Sequence, residues 1–161
     1  VSIASRAKAR PSRSISRCWR TQRRWTRLRS RAALQANGET ILVVEDDPAI
    51  LRLAGKLLND LGYRPLLAAE VEKALELATE ADMLQLLLTD VIMPRMNGAE
   101  LANTVQAIHP DIKVVYMSGY TADVIANKGV LNCDVTYIQK PFSRNSLAVT
   151  LKKALAQAEA P

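Results

Sequence analysis

The sequence predicts an α/β domain built as a (βα)5 doubly wound parallel sheet, five strands alternating with five helices in the order 2-1-3-4-5. Three observations lead there. From Glu39 onward, short β-type runs alternate with longer stretches of helical periodicity, which implies a parallel sheet with right-handed crossovers. One run, Gln85–Thr89, is almost wholly apolar, as expected of a central strand covered on both faces. Four runs also deliver polar groups at their ends: Glu45-Asp46-Asp47, Asp90, Ser118-Gly119 and Lys140-Pro141. Open α/β sheets bind ligands outside the carboxyl ends of their strands, and of the two common doubly wound orders it is 2-1-3-4-5 that has its switch point between the first and third strands. Glu45, Asp46 and Asp90 are therefore expected in one crevice.

Each element has its own local signal. Thr40–Val44 reads as the first strand. Pro48–Leu61 reads as a helix, with Asp47 at its start, Pro48 in its first turn and Gly62 as its stop. Its apolar face is expected to comprise Ile50, Leu53, Ala54, Leu57, Leu58 and Leu61. Arg64–Ala68 is the second strand and Glu70–Ala81 a helix. Gln85–Thr89 is followed by a helix over Asn97–Ile108, a strand over Lys113–Met117 and a short helix over Thr121–Lys128. Val135–Ile138 is the fifth strand. Ser143–Ala158 closes the domain as a helix, with Ser143 as N-cap and Leu147, Leu151 and Leu155 as its apolar stripe.

Charge divides the chain. Residues 1–38 carry ten Arg and one Lys without an acid, +11, whereas residues 39–161 carry eleven basic residues against sixteen acidic ones, −5. Cys18 and Cys133 form no metal-ligand spacing, and a disulfide framework is not expected, so a reducing cytoplasm is the expected setting. No apolar run approaches the length of a membrane span, and no contact with a membrane is expected. The positively charged N-terminus lacks the apolar core of a secretory signal. The one histidine, His109, stands before Pro110 at a helix end and is read as a surface residue without catalytic work.

Three carboxylates close together raise one another's pKa unless a cation intervenes. Mg²⁺ suits them, because it takes oxygen ligands and is usually held by one or two carboxylates with phosphate oxygens. A carboxylate such as Asp90 can attack phosphorus and become an aspartyl phosphate, while Lys140 and the Ser118 hydroxyl can contact phosphoryl oxygens. Taken singly, Asp90 is a turn residue, the Glu45–Asp47 acids favour a helix dipole, Lys140 is a solvated lysine and Tyr137 a sheet aromatic. Their joint placement at one sheet edge outweighs those readings. Asp47 is left as a helix-start residue, and Met93, Met96 and Met117 as packing residues.

Residues 40–158 resemble a receiver domain of the two-component response-regulator family, whose fold is flavodoxin-like. The resemblance is carried by Val43-Val44-Glu45-Asp46-Asp47, by Thr89-Asp90-Val91-Ile92-Met93-Pro94-Arg95-Met96-Asn97-Gly98, by Met117-Ser118-Gly119-Tyr120 and by Tyr137-Ile138-Gln139-Lys140-Pro141-Phe142. It implies that Asp90 is the phospho-acceptor and Glu45 and Asp46 the acidic pair, with Asp46 a direct Mg²⁺ ligand and Glu45 acting through water. The Ile92 backbone carbonyl would complete the protein's share of coordination. Ser118 would be the switch hydroxyl, Tyr137 the switch aromatic, and Lys140 the phosphate-contacting lysine before a cis proline bond. The resemblance is strongest to the C-terminal receivers of hybrid sensor histidine kinases. Its implied partners are a histidine kinase or phosphotransfer protein and a downstream protein that docks on Thr121–Lys128, Val135–Ile138 and Ser143–Ala158. Ile92 and Tyr120, two residues beyond the acceptor and the switch hydroxyl, cannot activate water, so slow self-hydrolysis is expected. No output domain is expected beyond the last helix, and the chain has neither a phosphorylatable-His motif nor a nucleotide-binding Gly-rich loop. It is thus read as a signalling domain and not as an enzyme.

The basic leader, residues 1–38, is expected to be largely disordered and has three readings. Its arginines, with Trp19 and Trp25 between them, could bind nucleic acid. This is the alternative function, a nucleic-acid-binding regulator gated by the receiver. The leader also has the composition of an organellar transit peptide. The reading we favour is translation out of frame. If the third base of each codon is joined to the first two of the next, Ala4 to Trp19 is compatible with EPGKGTTVQIYFPVL, which resembles the end of a histidine-kinase catalytic domain.

Overall fold

A computed structural model of the chain describes residues 36–119 and 136–156. Its five strands, β1 (Thr40–Val44), β2 (Arg64–Ala68), β3 (Leu86–Asp90), β4 (Lys113–Ser118) and β5 (Thr136–Gln139), form one sheet in the order β2-β1-β3-β4-β5. All four pairings are parallel. The register sets Val44 beside Thr89, Asp90 beside Met117 and Ser118 beside Gln139, which brings the carboxyl ends of the strands to a common edge. The doubly wound order expected from the sequence is the order found.

Four helices lie among the described residues: α1 (Pro48–Leu61), α2 (Val71–Glu80), α3 (Gly98–Ile108) and α4 (Arg144–Ala156). The helix expected over Thr121–Lys128, the strand residue Val135 and the last residues of the closing helix lie outside the described residues. Helix starts follow their capping chemistry. The Asp47 side chain accepts hydrogen bonds from the Ala49 and Ile50 amides, Asn97 and Glu100 form a reciprocal capping box at α3, and Ser143 Oγ accepts from the Ser146 amide at 3.1 Å. Gly62 ends α1 in the left-handed conformation at φ 91°.

The sheet separates two apolar layers because alternate strand residues face opposite sides. Ile41, Val43, Leu86 and Leu88 pack with Leu58, Leu147 and Leu151 of α1 and α4. Leu42, Val44 and Leu87 pack with Ala74, Leu101 and Val105 of α2 and α3. One expectation is corrected on α1. Leu53, assigned to the inward stripe, is 45% exposed, whereas Leu51 is buried. The buried positions are Leu51, Ala54, Gly55, Leu58 and Leu61. Gly55 explains the rotation: a Cβ there would lie 2.8 Å from Leu67 Cδ1, so the helix meets β2 through its glycine. His109 caps α3, and its Nε2 lies 2.7 Å from the Ala78 carbonyl, tying α3 to α2.

Candidate functional site

β1 delivers Glu45 into the interior, where it is 1% exposed and its amide donates to the Ala68 carbonyl at 3.2 Å. The chain then turns: Asp46 is exposed, and Asp47 is committed to capping α1. Asp90 ends β3, and the next residues are tied down at once. The Val91 amide donates to the Met117 carbonyl at 3.1 Å, and the Gly98 amide to the Val91 carbonyl at 3.0 Å. Glu45, Asp46 and Asp90 each offer a carboxylate oxygen, all within 4.8 Å of one another. The crevice expected at the switch point is present.

Lys140 reaches this crevice from the end of the edge strand β5. Its amide donates to the Ser118 carbonyl at 2.7 Å, and its bond to Pro141 is cis, as the resemblance implied. Its Nζ lies 2.7 Å from Asp90 Oδ2 and 2.5 Å from Glu45 Oε2. Asp90 Oδ1 accepts from the Ile92 amide at 3.3 Å. Burial lowers the Lys140 pKa, but contacts with Asp90 and Glu45 outweigh it, so the ammonium is held above its ordinary 10.5. Burial dominates at Glu45 and keeps its carboxyl above the ordinary 4.5 despite the opposing pull of Lys140.

The other expected residues occupy two environments. Ser118, at the end of β4, is 2% exposed. Tyr137, beside Tyr116 in the sheet, is 41% exposed, and Ile92 is 55% exposed at the rim of the crevice. Tyr120 lies outside the described residues. Two features were not anticipated from the sequence. Lys140 pairs with Glu45 as well as with Asp90, a contact between the first and last strands for which linear spacing carries no signal. Arg95, with φ 75°, pairs with Glu72 at 2.9 Å beside a 360 Å³ cavity that also touches Asp46.

Glu45, Asp46 and Asp90 form the donor set open to a cation. It consists of oxygen atoms alone, which suits a hard divalent ion. Glu45 Oε2 is buried against the Lys140 ammonium, 2.5 Å away. The residues present fit Mg²⁺.

A parallel 2-1-3-4-5 sheet with acids at its switch point, and a buried hydroxyl and a lysine further along the same edge, defines a doubly wound α/β domain with an acidic crevice. Sequence comparison makes this specific: the response regulator receiver domain family matches residues 41–152, and the chain belongs to that family. It is thereby a receiver domain of two-component signalling, a family that works with histidine kinases or phosphotransfer proteins. The chain is 35% identical over 117 residues to the sensor kinase CckA of Brucella abortus (strain 2308), a match spanning 72% of this chain and 12% of that kinase. It is 33% identical over 118 residues to the response regulator receiver protein CpdR of the same organism, spanning 73% of this chain and 98% of CpdR. Among solved structures, the receiver domain of the hybrid histidine kinase CckA has a TM-score of 0.61 at 35% identity, covering 72% of this chain and 98% of that one. The chemotaxis protein CheY4 of Vibrio cholerae has a TM-score of 0.65 at 26% identity, covering 73% and 99%. No helix among the described residues is long and apolar enough to cross a membrane.

Proposed function

We propose that the receiver occupies residues 39–161 and accepts a phosphoryl group from a histidine kinase or phosphotransfer protein onto Asp90. The observation that carries this reading is the convergence of Glu45, Asp46, Asp90 and Lys140 in one crevice at the switch point. An Asp90 oxygen attacks phosphorus, the bond from phosphorus to the donor's imidazole nitrogen breaks, and the imidazole leaves with the electron pair. Bound Mg²⁺, held by Asp46, Asp90 and the Ile92 carbonyl, with Glu45 acting through water, would offset charge on the transferring group. Lys140, already at Asp90 Oδ2, supplies a positive charge on the other side. The Ser118 hydroxyl serves the phosphoryl oxygens once they are in place.

The output is a population shift between two surfaces, biased by the new charge. Tyr137 is outward here, as an aromatic in the unphosphorylated position would be, and turns inward as Ser118 moves toward the phosphoryl group. Val149 of α4 is 58% exposed, which supports a downstream protein docking on β5, α4 and Thr121–Lys128. The setting is cytoplasmic. Residues 1–38 form a separate basic leader outside the matched region, through which alone nucleic acid would be contacted.

The test is incubation with acetyl phosphate and Mg²⁺ followed by intact-mass spectrometry. The expected result is one phosphoryl adduct on the wild type and none on Asp90→Asn. An unmodified wild-type chain with its fold intact would falsify the assignment.

A further inference from the structure

We infer that Arg95 draws an anionic phosphodonor toward the acidic crevice, and that Glu72 occupies its guanidinium until a donor takes it over. The inference rests on the reading of Asp90 as phospho-acceptor and deepens it, by assigning a residue that recognises the donor's charge.

The difficulty for a donor is charge. The crevice and the cavity beside it are lined by five acids, Glu45, Asp46, Glu70, Glu72 and Asp90, against two cations, Lys140 and Arg95. An anionic donor approaching that rim is repelled. Lys140 is 12% exposed and engaged by Asp90 and Glu45, so its charge is largely offset before a donor arrives. Arg95 is 75% exposed at the wall of the 360 Å³ cavity that reaches Asp46. A carboxylate oxygen of Asp46 in turn lies within 4.8 Å of one on Asp90. Among the described residues lining this rim, Arg95 is thus the cation that an arriving donor meets first.

The backbone holds the arginine there at a cost. The Met96 amide donates to the Pro94 carbonyl at 3.0 Å, closing a γ-turn around Arg95, whose φ is 75°. That conformation suits glycine and strains a long side chain. From this turn the side chain crosses to the first turn of α2, where Nη1 donates to Glu72 Oε1 at 2.9 Å. Among the described residues the fork's other N–H groups make no hydrogen bond. An exposed pair of this kind opens readily, because water and salt screen it. The freed guanidinium has the geometry to take two phosphoryl oxygens at once. Glu72 and the donor therefore compete for one cation, and removing the Glu72 charge both releases Arg95 and relieves repulsion of the donor.

The test is the second-order rate constant for phosphorylation at saturating Mg²⁺, read by intact mass for wild type, Arg95→Gly, Arg95→Lys and Glu72→Gln, each checked by circular dichroism. Arg95→Gly is the decisive variant, because glycine accepts φ 75° and keeps the turn while the charge is lost. With acetyl phosphate, largely a dianion near neutral pH, Arg95→Gly should react at least about threefold more slowly and Glu72→Gln at least about twofold faster. Phosphoramidate, largely a net monoanion, should lose less than about twofold in Arg95→Gly. Arg95→Lys keeps the charge and should stay within about twofold of wild type. All differences should vanish at about 1 M salt, where screening acts beyond about 3 Å. Decay of the phospho-aspartate after donor removal should be the same in Arg95→Gly and wild type, a readout that damage to the loop would move. An unchanged rate in Arg95→Gly or Glu72→Gln, equal losses with both donors, a loss that survives high salt, or an altered decay each overturns the inference. If Arg95→Gly does not fold, Glu72→Gln decides alone. Wild type that accepts no phosphoryl group from either donor overturns the acceptor reading itself. Wild type that is phosphorylated while Arg95→Gly keeps pace overturns only the steering.

Discussion

Gly98 packs against the backbone of Asp90 so closely that a Cβ at position 98 would lie 2.1 Å from the Asp90 carbonyl oxygen. No side chain fits that space, and the obstacle is backbone, which cannot swing aside. The glycine lets the first turn of α3 press on the end of β3, where the Gly98 amide also donates to the Val91 carbonyl. Gly98→Ala should therefore cost about 3 kcal/mol in urea unfolding. It should also slow phosphorylation, because the strain is relieved by moving Asp90 itself. A variant as stable as wild type would mean that α3 can slide away at no cost.

Asp46 and Asp47 are adjacent carboxylates with separate duties. Asp47→Ala removes the α1 cap and should lose about 1 kcal/mol of stability while leaving Mg²⁺ affinity nearly intact. Asp46→Asn should do the reverse, holding its Tm and losing metal binding. Titration calorimetry paired with thermal melts separates the two.

Tyr63 carries a buried hydroxyl with no hydrogen-bond partner among the described residues. Burial, with the nearby Glu39 charge, pushes its phenol from 10.0 up to about 12. A folded pKa above the unfolded one means that the stabilising contribution is full below pH 10 and is lost as pH rises toward 12. Tyr63→Phe should thus lose about 2–3 kcal/mol less than wild type across that window. Near neutral pH it should be about 1 kcal/mol more stable, since an unsatisfied group is gone. Lys140, also held high, weakens both chains alike at alkaline pH, so the difference between their melts isolates the phenol.

Ile92 stands exposed beside Asp90 and cannot orient a water. Ile92→Glu should leave stability within about 0.5 kcal/mol and shorten the phospho-aspartate lifetime on the order of tenfold. The readout is decay of the phosphorylated mass after the donor is removed. The same reasoning applies to Tyr120→Glu, and an unaltered lifetime in both variants would count against the account of slow hydrolysis.

Much of this was legible in one dimension. The alternation of strands and helices followed from local periodicity and turn residues, the strand order from the preference of such sheets for a few arrangements, and the crevice from acids at strand ends within that order. What could not be read depends on how closely the elements approach one another. The inward face of α1 turned on Gly55 meeting Leu67, which moved Leu51 inside and Leu53 out. The Glu45–Lys140 pair depends on how far a lysine reaches across two strands. The Gly98 contact with Asp90 could be suspected from a glycine opening a helix, but only the backbone path shows what it touches.

The sheet partitions the interior into two apolar layers, so truncations on opposite faces share no packing partners. Leu58 and Leu101 are each wholly buried, on opposite sides of the strands. Truncation of either to Ala should cost about 2–5 kcal/mol, and the double truncation should equal their sum within about 0.5 kcal/mol, because neither cavity can relax into the other. Evolution could then vary the α1–α4 side and the α2–α3 side on separate schedules without one change demanding a compensating change across the sheet.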